Sequence, residues 1–430
     1  MNNIFNGLKP IIGMQFIQSV NQKSKTRTMQ AKNQLAGIIA AALILTFSAC
    51  KKEDSLTNPG TGGSATTNDL ISEKGTNPDE AVFTEEAIAR HGQRRGYVYT
   101  ESNDASQNVI HVYARNANGT LSPDGTTASG GIGTSSGLGS QGAVVLSVNN
   151  RWLFAVNAGS NSISSFQVHN DGSLTLAHTA GTSGIRPVSI SVHGHLVYVV
   201  NAGSDNIAGF TLGAGGSLTP INGSVQSLST TGAGAAQISF SPNGNYLFVT
   251  EKATNMITTF HVNGNGVTGT GTSTASVGQT PFGFEFARNN YMVVSNAAGG
   301  AAGLSSVTSY SGINSGNLNA VNGAVANNQA AACWIAVTKH GRFAFATNTA
   351  SNNISSYYVA HNGALYLIHA AIPSDDGPLD MVIASNNFNA YTLNGAANTI
   401  GEYNRTLLGG LNAIGSLSNI PDHAAGLATF

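Results

Sequence analysis

The polar residues of this 430-residue chain that could do chemistry recur at matching places. Five segments share one pattern: AVNAGSNSISSF (155–166), VVNAGSDNIAGF (199–210), VTEKATNMITTF (249–260), ATNTASNNISSY (346–357) and LNGAANTIGEY (393–403). In each, a β-run ends in a polar residue, a short turn follows, and a second run closes on an aromatic. With two looser copies, the strand-end column is Glu101, Asn157, Asn201, Glu251, Asn296, Asn348 and Asn394. Its two carboxylates, Glu101 and Glu251, could transfer a proton. Arg186, beside Pro187, is the best-placed contact for an anion. The asparagines, Asn201 and Asn348 among them, could line a polar mouth, and they equally suit turns, where Asn caps its own backbone. A glutamate at such a place also suits a solvated rim. His193-Gly194-His195 has a spacing that could ligate a metal, but it falls where sibling repeats carry a hairpin turn, so no metal is expected. GNGVTG (264–269) leads into no helix, so neither a dinucleotide nor another cofactor is expected.

The elements that must hold these residues follow from the repeat. The closing aromatics are Tyr113, Phe166, Phe210, Phe260, Tyr310, Tyr357 and Tyr403, spaced 44 to 53 residues apart. Four short strands and their turns need about that length, so seven units predict an all-β, seven-bladed β-propeller over 96–430. An inner strand precedes each hairpin: GAVVLSV, RPVSISV, AAQISF, PFGFEF, ACWIAV and PLDMVI. Blade one starts at Gly96 without one, while AAGLATF (424–430) is an inner strand without a blade. The C-terminal strand is therefore expected to complete blade one and remove the free edges. Blades one and five carry longer hairpins. Strand alternation places Trp334 on the face opposite Cys333, between blades.

Composition narrows the function. Lys, Arg, Asp and Glu make up only 9% of the chain, and Gly is abundant at 52 residues. Such a chain lacks the basic surface that holds nucleic-acid phosphates, so no nucleic-acid partner is expected. Residues 1–49 contain five basic residues (Lys9, Lys23, Lys25, Arg27, Lys32) and no acidic ones, leaving 14 basic against 20 acidic beyond them. The uncharged run LAGIIAAALILTFSA (35–49) follows Lys32 and precedes Cys50. It is too short to span a bilayer but suits the apolar region of a signal peptide over 1–49, with Met29 as the expected start. FSAC (47–50) resembles a bacterial lipobox, which implies lipid on Cys50 and attachment to a membrane of the cell envelope, periplasmic or surface-exposed. Glu53 and Asp54 after Lys51-Lys52 resemble a surface-export signal. Residues 50–95 are expected to form a polar tether, about 30 Å in reach. Cys333 then has no partner for an intramolecular disulfide.

VYVVNAGSDNIAGF and SPNGNYLFVTEKATNMITTF resemble repeats of the lactonase propeller family, which includes 6-phosphogluconolactonases, carboxymuconate-lactonizing enzymes and surface proteins with YVTN-type repeats. The resemblance covers 96–430. It implies an anionic lactone held at the channel mouth by a His, two Arg and a Glu. Those positions here are Val188, Ala236 (followed by Gln237), Thr349 and Glu251, so Glu251 alone survives as a catalytic candidate. The corresponding inner-strand column is Val144, Val188, Ala236, Phe282, Cys333, Leu379 and Ala425, all apolar. Apolar groups neither donate a proton nor stabilise an oxyanion. The expected function is a lipid-anchored propeller that binds a small molecule, glycan or protein at the mouth without catalysis. A lactone hydrolase with a rearranged site at Glu101, Arg186, Gln237 and Glu251 is the alternative, and a structural or adhesive surface protein a third.

Overall fold

The computed structural model describes residues 96–430. The expected leader, the lipidation site at Cys50 and the tether lie outside the described residues. Seven antiparallel sheets follow one another along the chain, six of them consecutive in sequence. The seventh, blade one, joins Gly96–Glu101, Val109–Arg115 and Leu121–Ala128 to the C-terminal strand Ala425–Thr429. That strand pairs Val98 with Thr429 and Glu101 with Ala425. The inner strands of blades two to seven are Val144–Leu146, Pro187–His193, Ala235–Phe240, Pro281–Phe286, Ala332–Val337 and Pro378–Ile383. Blade three is the exception in layout, since its outermost layer is split between Leu218–Pro220 and Gln226–Ser227. The longer hairpins of blades one and five are the loops over 102–108 and 297–305.

All seven closing aromatics are buried, as are the second strands on which they pack. The turns between second and third strands need left-handed backbone, and an Asn or Asp four positions after the strand end supplies it: Asn161, Asp205, Asn255, Asn352 and Asn398 all have φ near +50°. The turn chemistry thus belongs to these residues and not to the strand-end column itself.

A β-bulge near the start of the inner strands corrects the expected inner column. In blade three, Pro187 faces Asn201 and Ser189 faces Val200, so Val188 is the extra residue. Ala236, Cys333, Phe282 and Leu379 sit in the corresponding irregular stretches. In blade two, however, Val144 faces Ala155, two places further along the strand, and the equivalent of Val188 is Gly142. In blade one it is Gly426, not Ala425. Both glycines have positive φ, and a Cβ on Gly426 would meet Val144 N at 2.4 Å. Beyond the bulge the alternation is inverted relative to a plain strand. Ile190, Ile238, Phe284, Ile335 and Met381 turn into the blades, where they join the hydrophobic clusters. The residues between them face the axis.

Candidate functional site

The strand-end column lies at the end of the propeller where the inner strands begin, and its side chains are spent within the fold. Glu251 is fully buried. Its carboxylate accepts from Ser229 N (3.1 Å), Thr258 Oγ1 (2.5 Å), Thr254 Oγ1 (2.8 Å) and the Ser229 hydroxyl. Glu101 is equally buried, with Asn108 Nδ2 on one oxygen at 3.1 Å and no hydrogen-bond partner on the other. Burial raises its pKa well above the usual carboxylate range. Asn348 donates to Asn353 Oδ1 (2.7 Å) and Ser355 Oγ (2.8 Å). Asn201 donates to Asn206 Oδ1 (2.9 Å) and Thr182 O (3.3 Å). Asn157 and Asn296 bind third-strand hydroxyls in the same way, Ser164 at 2.8 Å and Thr308 at 2.9 Å. The column therefore staples hairpins together and does not form a ring around an open mouth.

The mouth itself is filled by the connection from blade one to blade two. Leu138, Ser140 and Gln141 are buried. The Gln141 amide donates to Ile335 O (2.7 Å) and accepts from Ile335 N (3.0 Å), and its backbone N–H bonds Ala236 O (3.0 Å). Trp334, only 5% exposed, donates from Nε1 to Ser140 O at 2.8 Å and lies 4.8 Å from the Phe282 ring. Blades two and six are thereby joined across the axis. Trp334 does not separate from Cys333 as plain alternation predicts. The bulge puts both into one apolar cluster with Ala236, Phe282, Ala297 and Ala331. Two cations of this end are turned on the same plug: Arg186 Nη2 donates to Gly137 O (3.3 Å), and Lys252 Nζ donates to Gly139 O while lying over the Phe282 ring at 4.8 Å. Desolvation lowers the Arg186 pKa. At the other positions named from the resemblance, Val188 and Ala236 are fully buried, and Thr349 Oγ1 donates to Pro378 O (2.8 Å).

Below the plug lies a cavity of about 370 Å³, walled by inner strands of all seven blades. Gln237 lines it, its amide held by Phe284 O (2.9 Å) and Phe284 N (2.7 Å) of the next blade. Ser189 and Ser191 likewise accept from Ile238 N and Phe240 N, so channel-facing side chains satisfy the inner edges of neighbouring strands. The column reading missed the cavity's carboxylates. Asp380, 4% exposed, accepts from Met381 N (2.9 Å) and Leu427 N (3.1 Å). Glu285, half-buried two places past the bulge in blade five, faces the same space. Desolvation raises both pKa values to about 7, and the Glu285 charge adds to the rise at Asp380. The available signal was that Glu285 and Asp380 are the only acidic residues in any inner strand. Among the described residues, no group of three or more His, Cys, Asp or Glu is placed to hold a metal ion.

No curated protein matches the chain by sequence. Among solved structures, a Bacteroides fragilis protein provisionally named a 6-phosphogluconolactonase aligns at TM-score 0.65 and 19% identity, over 79% of this chain and 98% of its own. A similarly named Bacteroides uniformis protein gives 0.63 at 21% identity, over 77% and 99%. The periplasmic gluconolactonase of Pseudomonas aeruginosa gives 0.63 at 16%, over 78% and 99%. At these identities the likeness is one of fold. The sequence model of the lactonase family, a seven-bladed β-propeller, matches residues 63–231 and 224–313, more than half of the chain. The chain belongs to the lactonase family of seven-bladed β-propellers.

Proposed function

We propose that this protein is a lipid-anchored propeller of the bacterial cell envelope that binds a ligand or partner and does not hydrolyse lactones at the family mouth. One observation carries the reading: the mouth is occupied by the chain's own Gln141 and Trp334, which bridge blades two and six. Each charge-assisted hydrogen bond to an anionic lactone is worth about 1.5–3 kcal/mol. The positions that would supply them are Val188, Ala236 and Thr349, and the nearby cations already hold Gly137 and Gly139. Glu251 has four donors on its carboxylate, an arrangement suited to a structural anchor.

The test is hydrolysis of 6-phosphogluconolactone by the purified protein, expected at no more than the spontaneous rate. Turnover that disappears in Glu251→Gln would reverse the reading in favour of a hydrolase, the second reading, which rests on the family and on the names of its structural neighbours. Anchoring is tested separately. Only a thiol accepts the diacylglycerol, so Cys50→Ser should abolish partitioning into detergent, and unchanged partitioning would remove the lipid from the proposal.

A further inference from the structure

We propose that the channel cavity below the plug is a binding site for a small organic cation, an amine with an aliphatic body, entering from the end opposite the family mouth. This deepens the binding reading above and rests on it in one respect, that the propeller takes up a ligand. Lactone turnover and amine uptake are measured separately, so either can fail alone.

The cavity's shape gives the direction of entry. Residues at its plugged end, Gln141, Gln237 and Asp380, are buried, whereas Val192, Ser239, Val337, Ile383 and Thr429 at the other end are partly exposed. Its volume of about 370 Å³ falls in the range of small-molecule pockets and far exceeds a single ion.

The lining gives the charge. It contains Asp380 and Glu285 and no Lys, Arg or His. An anionic lactone would meet two carboxylates and no cation, so the cavity is matched against the family substrate. Asp380 has a backbone N–H on each oxygen, and Glu285 has the Phe286 backbone N–H. Neither has a cationic partner in the cavity, so the charge of both remains uncompensated. A bound ammonium would supply that compensation and donate up to three hydrogen bonds. Desolvation holds both carboxyls at about 7, and the Glu285 charge adds to the rise at Asp380. The remaining wall is mixed: Val145, Ala336 and Val382 offer an aliphatic surface beside the polar Gln141, Gln237, Ser191 and Ser239. The aliphatic patches suit an alkyl body, and a third acidic or imidazole ligand for a metal is missing among the described residues.

The probe is n-hexylamine, titrated calorimetrically into the full-length chain, with 1-hexanol and calcium chloride as parallel arms. Hexylamine should bind at pH about 8 and weaken tenfold or more at pH about 5.5, as both carboxyls protonate. Glu285→Gln and Asp380→Asn should each weaken it about tenfold. Hexanol should bind at least tenfold more weakly than the amine. Equal binding of hexanol and hexylamine, no uptake of hexylamine at millimolar concentration, or calcium uptake that depends on both carboxylates without amine uptake would each overturn the proposal. Should Asp380→Asn fail to fold for want of its bond to Leu427, Glu285→Gln and the pH dependence of the unmodified protein still decide it.

Discussion

At the end of the channel where the inner strands begin, Arg186 and Lys252 direct their charge at carbonyls of Gly137 and Gly139, and Glu251 is enclosed by four donors. Below the plug Asp380 and Glu285 face a cavity, open toward the other end, without a basic residue in its lining. The same seven strands build both ends. In the first, the polar groups are consumed by the chain itself, which is how a fold gains rigidity. In the second, charge is buried without compensation, an arrangement that costs stability and that binding sites commonly retain.

Each end of the channel can be perturbed in turn. The largest effect is expected from Trp334→Ala, which removes an indole packed on Phe282 and the hydrogen bond to Ser140 O. A loss of about 3–5 kcal/mol in a urea titration is expected, as for other buried Trp truncations. Amine uptake should survive in whatever fraction stays folded. A loss under 1 kcal/mol would mean that the plug contributes little and that the mouth is open in solution.

A smaller and oppositely signed effect sharpens the other side. The Asp380 carboxyl is at about 7 when folded and near 3.9 when unfolded. A raised carboxyl favours folding most below its unfolded value, and that contribution disappears as pH climbs through about 7. The unmodified protein should therefore lose stability between pH about 5 and 8, and Asp380→Asn should flatten that dependence by about 2 kcal/mol. An unchanged pH slope would show the carboxyl to be solvated and the contrast between the two ends to be overstated. Saturating hexylamine should flatten the same slope in the unmodified protein.

The fold was legible because it depends on spacing. The closing aromatics, the strand-end residues and the unmatched strand at 424–430 each repeat or fail to repeat at intervals that only a closed ring of blades explains. The site was legible only in part. Residues were followed at one inner-strand column under plain alternation, and a bulge adds a residue at that very point. Val144 was therefore placed two positions and Ala425 one position wrongly in the ring, and Trp334 was turned away from the plug it completes. The plug itself, rich in Gly and Ser over 129–142, has no apolar period to announce it. Its contacts are made by backbone carbonyls and one glutamine amide, which no pattern marks. Glu285 and Asp380 were visible as the sole inner-strand acids, but their meaning depends on which face they occupy.

The plug also sets how the channel can be used over time. Because segment 137–142 belongs to the covalent link between blades one and two, it has no free end to swing aside while the ring stays intact. The propeller's axis is then a well with one door and not a passage. Whatever enters must leave by the route it came, before a second molecule can follow. Residence time would be set by that single opening, and no flux from one side to the other could be carried. Such a geometry suits retention or sensing of a solute better than its conduction.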